Sequence, residues 1–187
     1  MAGSEVNMSL REDQRVIEFV REARELRVLL ESEPAEITTW PRSLLVTLAS
    51  LYALALKLPE IKVGEEEELS VPKEFDVTNE EKVVIWNRVE RIFGEHDRYH
   101  DVYDPADAHD HKVVGGVLSD DLSDIHRDIV PGLRAWEVSQ DEELARLAVY
   151  VWRAMLEFHW GRHATDAIRV LHYLVEDGGS KSSFRTH

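Results

Sequence analysis

Apolar residues recur at intervals of three and four along most of this chain, the period of helices that turn one face inward. Val16, Phe19, Val20, Ala23, Leu26 and Leu30 follow that spacing, and Ser9 with Glu12 reads as a capping box, so a first helix is predicted from about Leu10 to Glu31. Thr39 and Pro41 open a second helix that Pro59 stops; its apolar residues lie all round, which predicts a central position. From Pro59 to Val77 the period fails, and Gly64, Pro72 and the glutamate run Glu65 to Glu68 predict a surface loop. Thr78 and Glu81 form another capping box for a third helix carrying Ile85, Val89, Ile92 and Phe93, closed by Gly94.

Ser119 is expected to cap a fourth helix whose core stripe is Leu122, Ile125, Ile129, Leu133 and Trp136, with Pro131 kinking or ending it. Ser139 and Glu142 open a last helix that runs to about Glu176, where Gly178 and Gly179 end it. Its apolar face moves, from Leu144, Leu147, Val151, Met155 and Phe158 to Trp160, Ala164, Ala167, Leu171 and Leu174. Gly161 sits at the changeover, where the helix bends or another backbone approaches closely. The fold expected is all-α: a single domain over 9–177, built as a bundle of about five helices with a long C-terminal helix, and a disordered tail over 178–187.

Composition narrows the function. With 187 residues and 43% hydrophobic content, the chain carries one domain with a real core. A formal charge of −15 repels phosphate backbones and acidic headgroups, so neither nucleic acid nor a membrane is expected as a partner. The absence of cysteine removes disulfides, thiolate catalysis and cysteine-bound zinc, and fits a cytoplasmic location. Leu44 to Leu56, the most apolar stretch, is too short to span a bilayer.

Chemistry concentrates in two places. His96, His100, His109 and His111 share one segment with several aspartates; no zinc spacing matches, and a turn-rich loop anchored by Tyr99 and Tyr103 is expected. The second is His159-Trp160-Gly161-Arg162-His163-Ala164-Thr165-Asp166, which on one helix puts His159, His163 and Asp166 on a common face with Arg162 at its edge. Asp121, Asp124 and Asp128 fall together on a flank of the fourth helix, next to Arg127. A polar network between helices four and five follows, made of Asp121, Asp124, Arg127, Asp128, His159, Arg162, His163 and Asp166.

The leading functional expectation is a helical interaction or regulatory module, with another protein as partner and no cofactor. The alternative is a metal-dependent hydrolase holding a divalent metal on His159, His163 and Asp166, with Asp121, Asp124, Asp128 and His126 nearby. No His-Glu-x-x-His pattern or paired Glu-x-x-His repeat accompanies them, and Gly115-Gly116 lacks the lysine and spacing of a phosphate loop. A third reading, an acidic inhibitor of a basic partner, rests on charge alone.

Asp120-Asp121-Leu122-Ser123-Asp124-Ile125-His126-Arg127-Asp128, followed by His159-Trp160-Gly161-Arg162-His163 and Asp166-Ala167, resembles a bacterial all-helical family known only as a domain of unknown function. Gly94-Glu95-His96-Asp97 with Tyr99 and Tyr103-Asp104-Pro105, and the segment from Leu51-Tyr52 to Leu58-Pro59, extend the resemblance over about residues 10 to 175. His126 stands where that family usually has tyrosine. The resemblance implies a compact helical domain of bacterial origin and carries no established activity, cofactor or partner.

Overall fold

The computed structural model describes residues 9–62, 70–102, 106–109, 111–138 and 140–180, with side chains to residue 176. Among them are six α-helices and one hairpin: α1 (Gln14–Glu31), α2 (Trp40–Ala55), α3 (Asn79–Phe93), β1 (Arg98–Val102), β2 (Val113–Val117), α4 (Leu118–Val138), α5 (Glu142–Phe158) and α6 (Trp160–Ser180). The fold is thus mostly helical rather than purely so. The glutamate run, Tyr103, Ser139 and residues 181–187 lie outside the described residues; α6 runs through Gly178 and Gly179, expected to end it, as far as Ser180.

Helix α1 buries Val16, Phe19, Val20, Ala23, Leu26 and Leu30, as its spacing requires. Its cap, however, is Asp13, whose carboxylate accepts from the Arg15 amide at 2.9 Å. Ser9 instead donates its hydroxyl to the Glu142 carboxylate, clasping the start of the domain to α5. Helix α2 lies at the side: Leu44, Leu48 and Leu51 are buried, whereas Val46 is exposed, as is Leu56 just past its end, so the central position expected for it belongs elsewhere. Trp40 fastens α2 to α1 by donating its Nε1 to the Leu29 carbonyl at 3.2 Å. Helix α3 has the expected reciprocal cap, with the Glu81 amide donating to Thr78 Oγ1 and the Thr78 amide to Glu81 Oε2. Gly94, at φ +56°, ends it in the left-handed region that favours glycine.

The predicted loop after α3 is an antiparallel hairpin, with Tyr99 paired to Gly116 and Asp101 to Val114. It delivers the chain directly into α4, the central element, which packs against α1, α3, α5, α6 and β2. Ser119 lies inside α4 and does not cap it. Asp97 does that from outside, accepting from the Ser119 amide at 2.8 Å and the Ser119 hydroxyl at 2.9 Å. Pro131 neither ends α4 nor stops its packing: Ile129, Val130, Leu133 and Trp136 around it are all buried. Loss of one backbone hydrogen bond at a proline is offset where the surrounding apolar area is fully covered.

The long last helix is broken. His159 adopts φ −147°, ψ −78° and separates α5 from α6. In α5 the buried stripe is Ala145, Ala148, Val149, Trp152 and Leu156, one position away from the predicted one, which is half-buried and ends in exposed Phe158. In α6 the predicted stripe is met by buried Trp160, Ala164, Ala167 and Leu171. Gly161 explains the sharpness of the turn, because a Cβ there would lie 2.1 Å from the Leu156 carbonyl oxygen. Trp152 Nε1 donates to the Ile129 carbonyl and Trp160 Nε1 to the Trp152 carbonyl, both at 2.9 Å, so α4, α5 and α6 are tied through indole nitrogens.

Candidate metal centre between α4 and α6

Asp121, Asp124 and Asp128 are three and four apart on α4 and are all buried. Buried carboxylates need partners, and each has them. Asp121 accepts the Tyr99 hydroxyl at 2.6 Å and bonds His163 Nδ1 at 2.8 Å. Asp124 accepts from Lys82 Nζ at 2.6 Å, with Arg127 Nη1 at 3.2 Å. Asp128 bonds His159 Nδ1 at 2.7 Å, with Arg127 Nε at 3.8 Å. Burial nevertheless pushes the Asp128 carboxyl above the ordinary aspartate range.

The two imidazoles are therefore held in the same way. Each engages a buried α4 carboxylate through Nδ1, which leaves Nε2 as its free ring nitrogen. Their centroids are 4.7 Å apart, and His163 Nε2 faces Asp124 Oδ2 at 3.8 Å. Asp124, His159 and His163 each bring one donor atom to within 4.8 Å of the other two. The hydrogen bond to Asp121 raises the His163 pKa above the usual imidazole value. A carboxylate on the remote nitrogen orients a histidine and increases the basicity of the other nitrogen, the arrangement typical of metal-bound histidine.

The sequence grouped Asp166 with the two histidines; the coordinates bring Asp124 to them and turn Asp166 toward Asp101 of β1. Asp101 is itself held by Arg169 at 2.7 Å and by the Val102 amide at 2.8 Å. Burial, and then the nearby Asp101 charge, push the Asp166 carboxyl up to about 6. Arg127 bridges Asp124 and Asp128 from the outer edge, while exposed Arg162 makes no ion pair among the described residues. His126 is not part of the cluster: it is buried on another side of α4 with Nε2 2.9 Å from Glu31 of α1.

Lys82 and Asp101 belong to this neighbourhood although no spacing in the sequence marked them, and Tyr99, expected only as an anchor, bonds Asp121 directly. The one available signal was Gly116. A Cβ there would fall 2.1 Å from the Tyr99 ring, so this glycine lets the phenol lie across the hairpin and reach α4. Burial and Asp121 together hold that phenol above its ordinary pKa, so it is a hydrogen-bond donor at neutral pH. A cleft of about 310 Å³ opens over the cluster, lined by Tyr99, Asp101, Phe158, His159, Arg162, His163 and Asp166 among others.

No protein with a curated description matches the chain. Among solved structures, the crystal structure of protein BF1032 from Bacteroides fragilis aligns with a TM-score of 0.73 at 24% identity, covering 95% of this chain and 99% of that one. The likeness extends to the fold alone. A family model described as Domain of unknown function (DUF5063) matches residues 11–177, and the chain belongs to that family.

Proposed function

We propose that this domain holds a divalent transition metal on Asp124, His159 and His163 and uses it for hydrolysis in the adjoining cleft. The observation that carries this reading is the pair of buried carboxylates on the two Nδ1 atoms, with His163 Nε2 3.8 Å from Asp124 Oδ2 and a donor atom of His159 within 4.8 Å of both residues. Two imidazoles and one carboxylate suit zinc, manganese or ferrous iron and leave coordination positions open for water and substrate. The donor atoms lie within 4.8 Å of one another, whereas ligands about 2.1 Å from a common ion are closer together, so small side-chain movements would close the set. A bound cation would supply a hydroxide near neutral pH and polarise the bond to be cleaved.

Metal analysis of protein purified without chelator tests the reading. Near-stoichiometric zinc, manganese or iron, lost in His163→Ala and Asp124→Asn, is the expected outcome. Metal-free protein that takes up no metal on titration overturns it.

The rival reading is an interaction or regulatory module in which this network only knits helices together. It is favoured by Lys82 and Arg127, which already neutralise Asp124. In that case the histidine variants lose stability and no metal is found.

A further inference from the structure

The cleft over the cluster has two side chains that the ionic network leaves unused. Phe158, the last residue of α5, is 80% exposed, although it lines the cleft and immediately precedes the ligand-position residue His159. Arg162, in the first turn of α6, lines the same cleft as well as the neighbouring pocket beside Tyr52 and Leu156, and has no ion pair among the described residues, in a chain with 37 acidic residues and 22 basic ones. An unengaged guanidinium beside a metal position forms a clamp for phosphoryl oxygens. An exposed phenyl ring at the rim offers a face on which a planar base stacks.

The remaining wall is acidic. Asp101, Asp120, Asp121 and Asp166 line it, with the Asp120 carboxyl pushed up by burial and by Asp124. Phosphate would avoid such a wall, but sugar hydroxyls donate hydrogen bonds to carboxylates, as ribose does in many nucleotide sites. The repulsion that phosphate would meet is offset in part by Arg169 on Asp101 and, when protonated, His163 on Asp121.

We infer that the cleft binds a nucleoside phosphate, with its phosphate between the metal position and Arg162, its base against Phe158 and its sugar hydroxyls toward Asp101 and Asp120. This rests on the metal reading for the phosphate end and on Phe158 independently of it.

The test measures binding of AMP, ribose 5-phosphate and inorganic phosphate by calorimetry to protein loaded with manganese. AMP is expected to bind at least about tenfold more tightly than ribose 5-phosphate, the lower part of what one stacked base contributes. Phe158→Ala should erase that difference while leaving ribose 5-phosphate binding in place. Arg162→Ala should weaken all three by about tenfold or more, without loss of metal. Both side chains are exposed, so circular dichroism is expected to show each variant folded. Equal binding of AMP and ribose 5-phosphate, or an AMP preference that survives Phe158→Ala, overturns the inference and leaves the metal reading intact. Phe158-dependent AMP binding by protein that takes up no metal overturns the metal reading and supports the base site.

Discussion

Gly161→Ala perturbs the position at which the α5 to α6 turn brings one backbone against another. The added Cβ would sit 2.1 Å from the Leu156 carbonyl oxygen and 3.1 Å from its carbonyl carbon. The obstacle is backbone, so relief requires one helix end to retreat by roughly 1 Å, since carbon and oxygen pack no closer than about 3.2 Å. Overpacking of this kind costs about 1–3 kcal/mol. The shift also strains the Trp160 Nε1 bond to the Trp152 carbonyl, worth about 1 kcal/mol. Replacing glycine by alanine within a helix returns up to about 1 kcal/mol, so the net loss is about 1–3 kcal/mol. For a domain of this size each kcal/mol moves the melting temperature by about 2–4 °C. Thermal unfolding followed by near-ultraviolet circular dichroism should therefore show a fall of roughly 3–10 °C. Gly115→Ala is the control, because nothing lies within 4 Å of a Cβ there. A Gly161→Ala protein as stable as the parent refutes the account of the turn.

Three further outcomes follow from the same contacts. Because the Asp166 pKa is raised in the folded state from 3.8 to about 6, ionising it destabilises the fold as pH climbs through that window. Asp166→Asn should thus stabilise the protein at pH 7.5 by about 1 kcal/mol, after allowance for solvent screening, with the gain vanishing toward pH 4; urea midpoints at the two pH values decide it. Metal uptake must displace the proton that Asp121 helps His163 retain, so zinc affinity should rise with pH until His163 is deprotonated, with release of protons, and calorimetry showing an affinity independent of pH and no proton release would contradict the ligand assignment. Trp152→Phe removes the indole donor to Ile129 and should cost about 1–3 kcal/mol in urea unfolding, whereas a loss under about 0.5 kcal/mol would show that the bond adds nothing beyond ring packing.

Much of the helical scaffold was legible because its signals are local. The α4 stripe from Leu122 to Trp136 and the Thr78–Glu81 cap each need only residues three or four apart. What escaped depends on distant parts of the chain. Arg98 to Val102 holds a single aliphatic residue, and only its pairing with Val113 to Val117 and the fit of Tyr99 over Gly116 make it a strand. Ser9 matched a cap pattern, yet Glu142 of α5 competes for its hydroxyl. The grouping of Asp166 with the histidines assumed an unbroken helix from His159 onward. The break at His159 re-aims that imidazole toward Asp128, and the carboxylate within reach of both rings is Asp124.

The placement of α4 bears on how the chain is made. Helices α1 and α2 pack on each other, yet much of their apolar surface is covered by α4, α5 and α6, as where Phe19 meets Trp152 at 4.8 Å between ring centroids. During ribosomal synthesis that first pair emerges well before its cover, since chains grow at about 5–20 residues per second. For several seconds the nascent hairpin therefore carries an open greasy flank, and this is the interval in which a holding chaperone would engage it.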